Sequence, residues 1–261
     1  MKDLYIFVTT DRPDQYLNPI VHSIEQGTRK IIFNQVEDSR VQQVQLNLLQ
    51  ANVYNFLQEL SVGIYKYYVG KLKGEVIQLD TVYSVDEIAE MKTKYAYCLT
   101  DNISWSVERI EYSKQRSYIS SLSRNKNTII DVTSIKKVYI GDIFACSLLE
   151  NIENLYTFEL LFVPDYEKPW EILIYDLAKK KRYKYVNLVE TEIFEKSRKS
   201  ILIKTTPLMV SIIGTVQFVG VTLAATFIFG FGSIFIQFVS TIGTVLGIIS
   251  FFLIYFPVRS R

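Results

Sequence analysis

From Thr205 to Val258 the chain carries no charged residue, whereas all 27 acidic residues and 27 of its 29 basic residues lie before that run. A membrane-crossing helix needs roughly 20 apolar residues, and this run is well over twice as long. Gly230-Phe231-Gly232 interrupts it near the middle. Two crossings joined by a tight turn are therefore expected, near Thr206 to Phe229 and Ser233 to Phe256. Pro207 falls in the first turn of one and Pro257 ends the other. A buried hairpin in a soluble core is the competing reading, but the lengths and flanks match a bilayer.

The flanks give an orientation. Lys196, Arg198, Lys199 and Lys204 precede the first span, Arg259 and Arg261 follow the second, and the turn between them is uncharged. Cationic flanks stay on the cytoplasmic side, so both termini are expected there. The N-terminal MKDLYIFVTTDRPDQ reaches Asp11 and Arg12 too soon for a secretory signal. The expectation is a bacterial inner-membrane protein with two spans and lipid as a partner. Two cysteines, Cys98 and Cys146, in a reducing compartment imply no disulfide framework and no structural zinc site. The part before the spans is formally neutral, which argues against binding duplex nucleic acid, since that binding rests on positive excess.

That part reads as three stretches with the spans included: 1–163, 164–204 and 205–261. In the first, Leu4 to Thr9 is an apolar strand, followed by a helix carrying Tyr16, Ile20, Val21 and Ile24 and stopped by Gly27. Lys30 to Phe33 reads as a second strand and Ser39 to about Val69 as one long helical stretch. Gly74 to Tyr83 reads as a third strand and Asp86 to Tyr97 as a short helix. Thr128 to Val132, Val138 to Leu149 and Leu155 to Val163 follow as strand, helix and strand, while Asp101 to Asn127 reads as loop plus one helix. This alternation predicts an α/β fold with a doubly wound, Rossmann-like parallel sheet. Trp170 to Asp176 and Arg182 to Val189 alternate around the tip Ala178-Lys179-Lys180-Lys181 and predict an appended β-hairpin; Glu190 to Lys204 reads as a charged connector. The basic tip reads as solvated, with anionic lipid contact as the lesser alternative.

Ligands of doubly wound sheets sit at the carboxyl ends of the strands. Two strand-end loops carry suitable chemistry. Thr9-Thr10-Asp11-Arg12 offers hydroxyls, a guanidinium and backbone N–H groups at a helix start, with Asn34 and Gln35 ending the neighbouring strand. Asp131-Val132-Thr133-Ser134-Ile135-Lys136-Lys137 is the second such junction. Helix capping by Thr9, Thr10, Thr133 and Ser134, with Lys136 and Lys137 solvated, is the structural alternative.

The second loop resembles the strand-to-helix motif of CRISPR-associated Rossmann-fold (CARF) sensor domains, D-x-T-G-G-x-K. Asp131, Thr133, Ser134 and Lys136 or Lys137 stand at the corresponding places, and Ser134-Ile135 replace the two glycines. Thr9-Thr10 matches the family's other ligand-facing loop, and the resemblance covers roughly Leu4 to Phe162. It implies a pocket for cyclic oligoadenylate, a dimer or larger homo-oligomer with the ligand across its twofold axis, and coupling to an effector, here a two-span membrane module. No cofactor is implied beyond that cyclic nucleotide ligand.

An enzyme is not expected. His22, the only histidine, falls inside the first helix, and the chain offers no Cys–His pair, histidine cluster or P-loop. The Thr, Ser and Lys side chains of the loops would suit at most a slow phosphodiesterase action on the bound ligand. In the spans, Ser211, Thr215, Thr222 and Thr226 share one face, Ser233, Gln237, Ser240, Thr241 and Thr244 form a stripe, and Gln217 lies off it. Gly220-x-x-x-Ala224 and Gly243-x-x-x-Gly247 suit close helix packing, and in several subunits the stripes would line a polar path. The combined expectation is an antiviral-defence sensor that binds a cyclic oligonucleotide and permeabilises or depolarises the membrane. The alternative is a membrane adaptor whose α/β domain binds a protein and no nucleotide.

Overall fold

The structure, a computed structural model, describes residues 2–40, 42–165, 167–192, 194, 196, 205–230, 233–234, 237–238, 241–245 and 247. The chain divides into two compact units, Met1–Glu195 and Lys196–Arg261.

The first unit is a three-layer α/β/α sandwich around a six-stranded sheet of order β5-β2-β1-β6-β7-β8. The strands are β1 (Lys2–Phe7), β2 (Thr28–Glu37), β5 (Ser104–Glu111), β6 (Thr128–Asp131), β7 (Leu155–Leu160) and β8 (Tyr183–Asn187). All pairings are parallel except β7 with β8. The chain winds outward from β1 to β2 and β5, then returns to β6 and winds the other way, so the order reverses between β1 and β6. That reversal opens a crevice at the strand ends.

Alternation along β1 sends Leu4 and Ile6 to one face and Phe7 to the other. The first face is covered by α1 (Asp14–Glu25), α2 (Leu46–Ser61), α3 (Val85–Tyr97) and α6 (Ile174–Lys180). Tyr16, Ile20, Val53, Phe56, Met91 and Ile174 bury their side chains there. The second face is covered by α4 (Gln115–Ser123) and α5 (Lys137–Leu149), through Ile119, Leu122, Tyr139 and Ile143. Gly27, at φ +91°, turns the chain from α1 into β2. Ser84 and Glu87 form a capping box that starts α3.

Four expected elements differ. In the stretch expected to be helical from Ser39, the described residues before Leu46 are not helical. Gln35 Oε1 accepts the Val44 N–H (3.0 Å) and Arg109 donates to the Val44 carbonyl (3.3 Å), which holds Val44 buried and the loop extended. Gly74 to Tyr83 adds no strand to the main sheet: β4 (Val76–Gln78) pairs antiparallel with β3 (Ile64–Lys66) as a separate ribbon. The segment expected as loop plus helix contains β5, an edge strand whose serines and glutamates mask its alternation. The expected hairpin is a correction as well. Trp170 to Asp176 forms a 3-10 turn (Pro169–Ile172) and the start of α6, and only β8 is a strand, paired with β7. Leu173, Ile174, Tyr175, Asp176 and Leu177 are all buried, without the alternation of a one-sided strand, and Asn18 of α1 accepts the Ile174 N–H (2.9 Å) while donating to the Ile172 carbonyl (2.7 Å).

In the second unit α7 (Thr205–Phe229) is a continuous 25-residue helix. Its positions 205–212, 215, 225 and 229 are described for the backbone alone. Over the described side chains, no helix is long and apolar enough to cross a membrane. Gly230, at φ +75°, ends α7, and its N–H bonds the Thr226 carbonyl at 2.9 Å. Ile234 is helical, and Gly243 lies so close to the Phe218 ring edge that a Cβ there would clash with it. Phe231, Gly232 and most of the second expected span, with Ser240 and Pro257, lie outside the described residues, as does the connector beyond Lys196.

Asn18 ties α6 to α1 with both ends of its amide. Asn18→Leu should therefore cost about 1–3 kcal/mol of stability, the price of stranding the two backbone groups. Hydrogen exchange should lose protection first in 173–180, and unchanged exchange there would contradict this role.

Candidate functional site

The crevice between β1 and β6 is closed by one hydroxyl. Thr9, buried just beyond β1, donates from Oγ1 to the Ser134 carbonyl (2.9 Å) and accepts the Lys136 N–H (3.0 Å). Both sequence-predicted loops are thereby held edge to edge. Thr10 is braced from beneath: its Oγ1 donates to Gln15 Oε1 (2.8 Å), and the buried Tyr16 hydroxyl donates to its carbonyl (2.9 Å). Neither threonine caps α1, whose N-cap is Pro13.

The second loop has its own anchor on α1. Pro19 lies inside that helix and has no N–H for the Gln15 carbonyl four residues back. Ser134 Oγ donates to that carbonyl instead, at 3.0 Å. Beneath the loop, the fully buried Asp131 carboxyl accepts the Thr133 N–H (3.1 Å), the Thr133 hydroxyl (2.9 Å) and the Tyr185 hydroxyl of β8 (2.9 Å). The Phe158 N–H completes Thr133 by donating to its Oγ1 at 2.8 Å. Burial pushes the Asp131 carboxyl up to about 6, against the opposing pull of its three donors. Asp131 thus positions the loop and does not face the cleft.

Two clefts flank the Thr9-Thr10 ridge. One, of about 470 Å³, is lined by Thr9, Thr10, Thr133, Ser134 and Lys136, by Arg12, Asp14, Gln15 and Asn18 at the start of α1, and by the apolar Phe158, Leu160, Pro164 and Ile172. The other, of about 480 Å³, shares Thr9, Thr10 and Lys136 and is walled by Asp11 and by residues of the β2–α2 connection and α2. Lys136 is exposed and makes no ion pair among the described residues. It is the N-cap of α5, so its ammonium sits beside the positive end of that helix.

The other expected site residues are placed less centrally. Arg12 lines the first cleft but is engaged by Asp14, to which its Nε donates at 3.1 Å. Lys137 is exposed on α5 and lines neither cleft. Asn34 is a correction: it is fully buried, its Oδ1 accepts the Tyr118 hydroxyl (2.8 Å) from α4, and it reaches neither cleft. Ile135, at the second glycine position of the motif, is buried in the α4–α5 core and also lines the first cleft. His22 packs edge-on against Tyr183 and Tyr185, with Nδ1 3.2 Å from the Tyr183 hydroxyl. The sequence reading missed Phe158, Leu160, Pro164, Ile172 and the wall of the second cleft. Only the carboxyl-end position of Leu160 and Pro164 after β7 could have signalled them.

Of the residues expected to line a path in the second unit, Thr222, Thr226 and Thr241 donate to their own i−4 carbonyls, of Phe218 (2.8 Å), Thr222 (2.7 Å) and Gln237 (2.8 Å). Gln217, Gln237 and Thr244 are exposed within that unit and Ser233 is half-buried.

Because the folded protein holds the Asp131 proton more tightly than the unfolded chain, its stabilising effect is full below the ordinary value of 3.8 and is lost as pH rises through about 6. Relative to Asp131→Asn, the parent should lose about 2 kcal/mol between pH 4 and pH 7. Urea midpoints of both proteins across that range check this, and parallel pH slopes would refute it.

No family model matches the chain, and no curated protein does. Among solved structures, it is similar to Enterococcus italicus Csm6 bound to cyclic hexa-2′-fluoro-hexa-dAMP, with 9% identity and a TM-score of 0.38 over 99% of this chain and 59% of that one. The chain therefore spans less than two thirds of that protein's length. An overlap this loose leaves the functional reading to the geometry of the site.

Proposed function

We propose that the first unit is a sensor for a nucleotide messenger of the cyclic oligonucleotide class, and that the second unit is its membrane effector. The observation that carries the reading is that the first cleft is lined by hydroxyls and by Lys136, which makes no ion pair among the described residues, together with the apolar Phe158, Leu160, Pro164 and Ile172. A ligand complementary to both kinds of lining is an anion joined to a flat apolar body, which describes a phosphate and a base. The formal neutrality of the sequence before the spans fits a small anion better than duplex nucleic acid.

For the second unit, α7 supports the reading by its length, about 37 Å at 1.5 Å per residue against a hydrocarbon core of about 30 Å, and by a sequence free of Asp, Glu, Lys and Arg. The place of this protein is then the bacterial inner membrane, with both termini cytoplasmic. The assembly proposed is a homo-oligomer, at least a dimer. Ligand binding would bias that assembly toward a state that permeabilises or depolarises the membrane. The role proposed for the clefts is binding of the ligand.

In full-length protein, Lys136→Ala with Lys137→Ala should weaken binding of cyclic tetra- or hexa-adenylate by about ten- to hundredfold, as expected for losing a charge-assisted contact of about 1.5–3 kcal/mol. Thermal stability should move by less than about 0.5 kcal/mol because both side chains are exposed. Calorimetric affinities unchanged in the double variant would remove the lysines from the site. For the membrane part, reporters fused at Gly230–Gly232 and at the C-terminus should place only the turn outside the cytoplasm. A periplasmic C-terminus would overturn the hairpin.

A further inference from the structure

Where β7 ends and β8 begins, the surface carries exposed groups that neither the core nor the clefts use. Leu160 and Pro164 line the first cleft, and between them Leu161 is 51% and Val163 is 91% exposed. Single exposed apolar residues are ordinary on a protein surface, but these two are set among cations. Beyond the last β7–β8 pair, Leu160 with Tyr183, the Leu161 N–H donates to the Arg182 carbonyl at 2.9 Å. The Arg182 guanidinium lies 5.2 Å from the centre of the Phe162 ring, which holds a charge against the apolar segment. Lys179, Lys180, Lys181 and Lys184 are exposed as well. Glu87 and Glu90 of α3 engage Lys179 (3.5 and 3.4 Å), and Asp176 engages Lys180 (3.1 Å). Lys181, Arg182 and Lys184 make no ion pair among the described residues. Glu159 stands opposite Lys184 in the strand register, and the Asp165 carboxylate accepts the Glu167 N–H at 2.9 Å. Lys181 closes α6 at φ +51°, a left-handed conformation that glycine takes without strain, so the backbone does not call for a lysine there.

We propose that this surface, Leu161, Phe162 and Val163 with Lys181, Arg182 and Lys184, is where the first unit docks on an anionic lipid bilayer. A lipid interface suits both kinds of group at once. Apolar side chains enter the boundary of the acyl chains, while lysine and arginine lay their stems on apolar surface and bring their charges to the phosphate headgroups. A soluble anion would meet the cations and leave Leu161 and Val163 in water. The chain itself supplies the bilayer. Only positions 196–204 separate the first unit from α7, so on the membrane reading of that helix, on which this inference rests, a lipid surface is what the first unit is tethered to. The cytoplasmic leaflet is the anionic one, which matches the expected side. Because Leu160 and Pro164 flank the docking residues and line the first cleft, lipid and ligand act on one stretch of chain.

The test reads amide hydrogen exchange of the full-length protein in nanodiscs of phosphatidylcholine alone and of phosphatidylcholine mixed with phosphatidylglycerol. The Phe162 and Val163 amides should exchange at least about fivefold more slowly in the anionic discs. Each cation near an anionic surface strengthens the contact roughly fivefold, so Lys181→Gln, Arg182→Gln and Lys184→Gln together should weaken it about a hundredfold and return exchange to the rate in neutral discs. Val163→Asp should do the same, and unchanged protection of β1 and β6 reports an intact core, since that position is 91% exposed. Equal exchange in the two discs, including slowing that tracks protein concentration and so marks a contact between proteins, would overturn the docking surface and leave the spans standing. Slowing that survives the triple substitution would overturn it as well. A full-length protein that stays soluble without lipid and enters neither disc would overturn the membrane reading and this inference together.

Discussion

The Thr9 hydroxyl bridges two loops that belong to different halves of the winding. Its proton goes to the Ser134 carbonyl and its lone pair takes the Lys136 N–H, so the ends of β1 and β6 are joined at the point where parallel sheets otherwise gape. Everything that makes the crevice a site follows from this pairing. It sets the start of α5, and with it the position of the Lys136 ammonium, and it makes the ridge that separates the two clefts. The bonds cost no exposed donor, because Thr9 is buried and both partners are backbone groups.

Much of this was legible in the chain. β1 with α1 announced itself through an apolar run followed by residues at helical spacing, and β6 through a short apolar run before the largely apolar α5; their junctions supplied Thr9, Thr10, Thr133, Ser134 and Lys136. What stayed hidden depends on partners remote in sequence. Val44 reads as part of a helical stripe until Gln35 and Arg109 are seen to claim its backbone. Leu173, Ile174 and Leu177 read equally as an alternating strand until Asn18 supplies the cap that fixes a helix. Asn34 looked like a pocket residue because it ends a strand, yet pleating turns it to the opposite face, toward Tyr118.

The helical unit gives a related lesson about polar stripes. Thr222, Thr226 and Thr241 look hydrophilic in a list of residues, but each spends its hydroxyl proton on the carbonyl one turn back. Such a helix presents methyl groups where its sequence suggests hydroxyls, and remains compatible with an apolar surround. Gln217 and Gln237 cannot hide their amides in this way. They are the positions whose surroundings decide whether the unit packs dry or admits water.

Pro19 sets the two aims of α1 against each other. A helix optimised for its own sake would place at position 19 a residue with an N–H, completing the ladder to the Gln15 carbonyl. That better helix would put a second donor on the carbonyl that Ser134 now bonds, and would weaken the second loop's anchor on α1. Selection for a steadier scaffold and selection for a well-formed crevice thus pull on one position in opposite directions. A gain in melting temperature at position 19 would be purchased from ligand affinity, at a residue whose ring merely borders the opening.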